Sequence, residues 1–109
     1  MAKHYLLFIL AFGFMGYGQT VNIPDAVFKA RLIQAAVTNE IALDANQSSI
    51  KIDTNNDGEI QESEALLVYY LNVSSPLSSQ PKINNLDGIA SFTNLKSLDC
   101  STNYLTSLM

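Results

Sequence analysis

The sequence predicts an α/β fold: an N-terminal helical cap with a twelve-residue acidic loop, leading into the start of a solenoid of short repeats. Three observations predict it. Phe28, Leu32, Ala35 and Ala36 form an apolar stripe at helical spacing. Residues 53–64 place oxygen-bearing side chains at alternate positions around a single glycine. From Leu95 to Leu108, apolar residues recur at fixed short intervals.

Residues 1–18 read as a secretory signal peptide. Lys3 and His4 make a basic start, Tyr5 to Met15 is an apolar run, and Gly16-Tyr17-Gly18 puts small residues where cleavage is decided. Gln19 is then the first residue after cleavage. A membrane anchor is the rival, but the run falls short of the ~20 apolar residues that span a bilayer. The expected location is secreted or cell-surface, with no membrane span once the leader is removed.

The cap covers residues 19–73. Pro24 suits a first helical position, and Asp25 suits the first turn, where the helix dipole favours an anion. Val27 lies beside the apolar stripe, Lys29 and Arg31 lie off it, and Thr38-Asn39 ends the helix. Residues 40–49 give no clear signal. Gln47 to Ile52 reads as extended, with Ile50 and Ile52 flanking Lys51.

Within the cap, residues 53–64 fit the calcium loop of an EF-hand. Calcium takes six to eight oxygen ligands, so such a loop offers oxygens at alternate positions and closes with a bidentate carboxylate. Asp53, Asn55 and Asp57 hold positions 1, 3 and 5. Gly58 holds position 6, where the chain turns sharply. Glu59 at position 7 offers its backbone carbonyl, Gln61 at position 9 acts through a water, and Glu64 at position 12 supplies two oxygens. Apolar Ile60 at position 8 faces the core. A plain Asn/Asp/Gly turn is the alternative. Such a turn has no need of the glycine, the apolar residue and the final glutamate together. The extended approach and the lack of a second loop point to a structural calcium site rather than a switch.

Glu64 to Tyr70 begins as a helix and runs into a strand at Leu71-Asn72-Val73. Residues 74–82 form a Ser/Pro-rich loop. Residues 83–109 then carry Leu95-x-x-Leu98-x-Cys100-x-x-Asn103-x-Leu105, the leucine-rich-repeat pattern. Leu95, Leu98, Cys100, Leu105 and Leu108 are expected to face inward, with Lys96 and Asp99 outside. Asn103 turns the chain and bonds backbone groups with its amide. One complete repeat is legible and one is partial, whereas a solenoid needs about three. The expectation is therefore a truncated array, either the N-terminal part of a longer protein or a truncated gene product.

Composition excludes several functions. The only histidine is His4, inside the leader. A Ser-His-Asp or Cys-His catalytic set, or zinc held by histidine, cannot form in the remainder. No basic cluster is present, which argues against nucleic acid. Five of the ten acidic residues fall in the loop: Asp53, Asp57, Glu59, Glu62 and Glu64. Cys100 is the sole cysteine, so no intrachain disulfide is possible, and its spacing marks it as a small apolar residue facing inward.

Three segments taken together carry a resemblance: Val21-Asn22-Ile23-Pro24-Asp25-Ala26-Val27-Phe28-Lys29-Ala30, then Ile52 to Ala65, then Phe92 to Leu108. The chain resembles secreted bacterial leucine-rich-repeat proteins whose first repeat is preceded by such a helix and loop. The resemblance covers nearly all of residues 19–109. It implies an extracellular or surface binding scaffold with a protein or glycan ligand. Family members are usually much longer, and many end in a sorting domain that this sequence lacks. The expected function is a calcium-stabilised cap acting in binding, not catalysis. The alternatives are a dockerin-like assembly module, which would carry two such loops, and a non-catalytic part of a secreted enzyme.

Overall fold

In the computed structural model, residues 19–105 are described. The expected leader at 1–18 and the inward-facing Leu108 lie outside them. Helix α1 spans Ala26–Ile33. Asp25 is its N-cap, accepting the N–H groups of Val27 and Phe28 on one carboxylate oxygen at 2.9 and 3.0 Å. That satisfies two of the N–H groups that a helix start leaves orphaned. The helix stops at Gln34, about a turn short of the expected end at Thr38-Asn39. There the Asn39 side chain takes over the backbone, accepting from Ala36 N and Ile41 N and donating to the Gln34 carbonyl. An asparagine that bonds backbone locally competes with a continuing helix.

Strand β1 is Ala42–Leu43, inside the stretch that gave no sequence signal. Two residues are too few for an alternating pattern to be legible. Helix α2, Glu62–Ala65, follows the acidic loop. Strand β2 is Tyr70–Asn72, a 3-10 turn covers Ile89–Ser91, and β3 is Ser97–Asp99. The sheet order is β1-β2-β3, with β1 antiparallel to β2 and β2 parallel to β3.

This architecture corrects the expected fold class. Among the described residues there are two helices and one mixed three-stranded sheet, and no solenoid or repeat array is formed. A solenoid stacks like strands on like strands. Here β2 has a single parallel neighbour, and its other edge is taken by the antiparallel β1. The residues of the repeat phrase pack on the rest of the domain instead of on a copy of themselves. Leu95, Leu98, Cys100 and Leu105 are half-buried against a core built from Phe28, Leu32, Ile52, Ile60, Val68 and Ile83. Lys96 and Asp99 are exposed.

Two polar side chains organise the C-terminal half, and one of them, Arg31, ties it to the helix. Asn103 donates Nδ2 to the carbonyls of Val73 and Cys100 at 2.9 and 3.1 Å, and its Oδ1 accepts the Ile83 N–H at 2.9 Å. Arg31 is only 9% exposed, although its charge suggested the solvent side of the helix. It lies three residues after Phe28, on the buried stripe. Its guanidinium donates to the carbonyls of Val73, Ser74 and Pro81 and to Ser75 Oγ. These four bonds satisfy both terminal nitrogens of the guanidinium, as buried polar groups require.

Candidate calcium loop

The loop starts from an extended approach. Ser49 bridges Leu43 antiparallel, Ile52 is buried, and no helix enters. The chain then reverses over residues 53–60 using two left-handed residues, Asn56 at φ 57 and Gly58 at φ 78. Asparagine and glycine adopt this region at least cost. Nothing lies within 4 Å of where a Gly58 Cβ would sit, so the glycine serves the turn and not a close approach.

Asp53 organises the reversal. It is 3% exposed, and its two oxygens accept the N–H groups of Asp57 at 3.3 Å and Gly58 at 3.0 Å. Asn55 Oδ1 accepts the Asp57 N–H at 3.2 Å, and Asp57 Oδ1 accepts the Glu59 N–H at 2.9 Å. The Glu59 N–H, with the Gln61 amide adding to it, holds the Asp57 carboxyl below its ordinary value. Asn55 Nδ2 lies 3.4 Å from Asp57 Oδ2 and 3.3 Å from Gln61 Oε1. Gln61 Nε2 donates to the same Asp57 oxygen at 2.8 Å. Ile60 is fully buried between these polar residues.

Glu64 closes the loop from α2 and is 6% exposed. Its Oε1 accepts the Gln61 N–H at 3.0 Å, one arm of a capping box. Its Oε2 accepts from the Thr54 N–H at 3.0 Å and Thr54 Oγ1 at 3.1 Å. The last residue of the loop is thereby bound back to the second.

Asp53, Asn55, Asp57 and Gln61 are thus linked by direct bonds, and Glu64 bridges Gln61 and Thr54. Glu59 goes elsewhere: its carboxylate pairs with Lys29 Nζ at 2.7 Å, leaving its backbone carbonyl as the expected ligand. Among the described residues no three His, Cys, Asp or Glu side chains gather as a metal group. The donor set is mixed, and the Asn55 and Gln61 amide N–H groups now occupy the Asp57 oxygen. By chemistry the set fits calcium, since every donor is a hard oxygen once those two amides turn their carbonyls inward. Asp53, Asn55, Asp57, the Glu59 carbonyl and Glu64 would hold the ion directly, with Gln61 acting through water.

Three participants were not foreseen. Thr54 anchors Glu64, and a hydroxyl at position 2 is a local cue that could have been read. Lys29 lies thirty positions from Glu59, so no spacing rule links them. The segment Gln19–Val21 runs antiparallel along the end of the loop: Val21 N–H donates to the Ile60 carbonyl and Glu62 N–H to the Gln19 carbonyl, both at 2.7 Å. Thr20 and Gln61 form the bridge between them.

Compared against known protein families, curated proteins and solved structures, the chain matches none of them. Among the described residues no helix is long and apolar enough to cross a membrane.

Proposed function

We propose that residues 53–64 bind calcium and that the chain is a calcium-stabilised extracellular module that works by binding or as a structural part, not by catalysis. One observation carries this reading. Asp53 and Glu64 are acidic residues only 3% and 6% exposed, and among the described residues the only ion pair is Lys29–Glu59. Loop N–H groups offset part of the cost of burying the two anions, and among the described residues no cation pairs with either. A divalent cation in the loop supplies positive charge to both groups at once.

The leader-like residues 1–18 and the resemblance to secreted proteins support the compartment and a protein or glycan partner. The solenoid forms no part of the reading. The lack of any histidine after His4 supports binding over catalysis.

Thermal unfolding of the chain in calcium, magnesium and chelator tests the proposal. A ligand that binds only the folded form adds RT ln(1 + [L]/Kd), about 2.7 kcal/mol at a hundredfold excess over Kd. In a domain this small, each kcal/mol moves the midpoint by roughly 4–8 °C. Calcium should raise the midpoint well above that in chelator, and magnesium should do less. Identical midpoints in calcium and chelator would refute the reading.

A further inference from the structure

The segment Gln19–Asp25 touches two distant parts of the chain. On one side it is paired to the end of the loop through Val21 N–H to Ile60 O and Glu62 N–H to Gln19 O. On the other it is held by the turn at residues 84–88. Asn84 and Asn85 donate their N–H groups to Asp25 Oδ2 at 2.8 and 3.1 Å. Gly88, at φ 106, presses against the segment so closely that a Cβ there would sit 2.8 Å from the Asn22 carbonyl oxygen and 2.9 Å from Ile23 Cγ1. Val21 and Ile23 are both buried in the core.

The loop end and the 84–88 turn therefore share one strap, independent of the path through α2 and β2. Its backbone pairing falls on Ile60 to Glu62, directly ahead of the Glu64 cap. Any constraint on that stretch fixes the carbonyl and the N–H that hold the strap. We propose that Gln19–Asp25 is a clasp coupling the state of the loop to the turn at Asn84–Gly88, so that calcium in the loop tightens the C-terminal half of the domain. The metal half of this statement rests on the calcium reading above, and the mechanical half does not.

Backbone amide hydrogen exchange on the chain, read residue by residue, tests both halves. In the parent, calcium should slow exchange of Gly58 and Val21, and also of Asn84 and Asn85, by about tenfold or more relative to chelator. In Gly88→Ala, which pries the strap from the turn, calcium should still slow Gly58 but leave Asn84 and Asn85 unchanged. In chelator, Glu64→Ala, which frees the Gln61 N–H and Thr54, should speed exchange at Val21, Asn84 and Asn85 together. Calcium protection confined to the loop in the parent would overturn the coupling. No calcium effect at Gly58 would overturn the calcium reading, and the clasp would then stand or fall on Glu64→Ala alone. Unchanged exchange at Asn84 and Asn85 in that variant would overturn it.

Discussion

Arg31 Nη2 donates to Ser75 Oγ at 3.0 Å, joining two buried side chains 44 positions apart. The same guanidinium reaches the carbonyls of Val73, Ser74 and Pro81, so one helix residue organises the loop that follows β2. No carboxylate neutralises it among the described residues. The loop 73–81 is thus held by a cation bonded to neutral oxygens.

Arg31→Met keeps the apolar stem and removes the donors. The Ser74 and Pro81 carbonyls then lose a charged partner inside the fold. Urea denaturation should show a loss of about 1–3 kcal/mol, the range for stranding buried polar groups. Arg31→Lys, with fewer donors and no planar fork, should recover only part of it.

Asn103 both donates to the carbonyls of Val73, Cys100 and Ser101 and accepts the Ile83 N–H. Asn103→Ala should cost about 1–3 kcal/mol in the same assay. Asn103→Asp keeps the acceptor and places a charge against the carbonyls of Val73 and Cys100. It should be no more stable than the alanine variant at neutral pH and should improve on acidification as the carboxyl protonates.

The two left-handed glycines should respond differently. At Gly58 an added methyl meets nothing within 4 Å, so Gly58→Ala should cost only the backbone strain, about 1–2 kcal/mol. At Gly88 the same change adds a clash with the Asn22 carbonyl oxygen at 2.8 Å. Gly88→Ala should therefore destabilise more than Gly58→Ala in side-by-side denaturant melts.

Acid should loosen the Asp25 junction. Partial desolvation alone would raise its carboxyl, but the N–H groups of Phe28, Asn84, Asn85 and Val27 outweigh it and hold the pKa below the ordinary 3.8. A group lowered in the folded state contributes stability above its unfolded pKa and loses it as pH falls through the folded one. The parent should therefore lose stability from about pH 4 downward. Asp25→Asn should be less stable than the parent near neutrality, with the gap narrowing below pH 4. A gap that stays constant across that window would contradict the assignment.

Much of the loop was legible because its cues are local. A glycine at position 6 with positive φ and a buried Ile60 both follow from twelve consecutive residues, whereas the bond from the Gln61 N–H to Glu64 was not among the expectations. The helix start was legible only to within two residues: Pro24 was expected at the first helical position and Asp25 in the first turn, whereas Asp25 is the N-cap and Pro24 lies outside the helix. The fold class was not legible. The spacing of Leu95, Leu98, Cys100 and Leu105 states which side chains turn inward, but not what they meet, and they meet the mixed-sheet core. Arg31 was expected off the apolar stripe, yet three residues after Phe28 it shares the phase of the core and is buried. The strap at Gln19–Val21 and the Lys29–Glu59 pair depend on tertiary contacts that no periodicity encodes.

The most direct test of calcium binding is a calorimetric titration of the chain with calcium, repeated on Glu64→Gln. Glu64 contributes a buried carboxylate whose two oxygens already converge on the loop backbone. The parent should bind one calcium with Kd on the order of 10⁻⁵–10⁻³ M, in or just below the range of extracellular modules. Glu64→Gln, which keeps the size but loses the charge and the bidentate grip, should bind at least tenfold more weakly. No binding heat in the parent, or equal binding by parent and variant, would contradict the proposed calcium site.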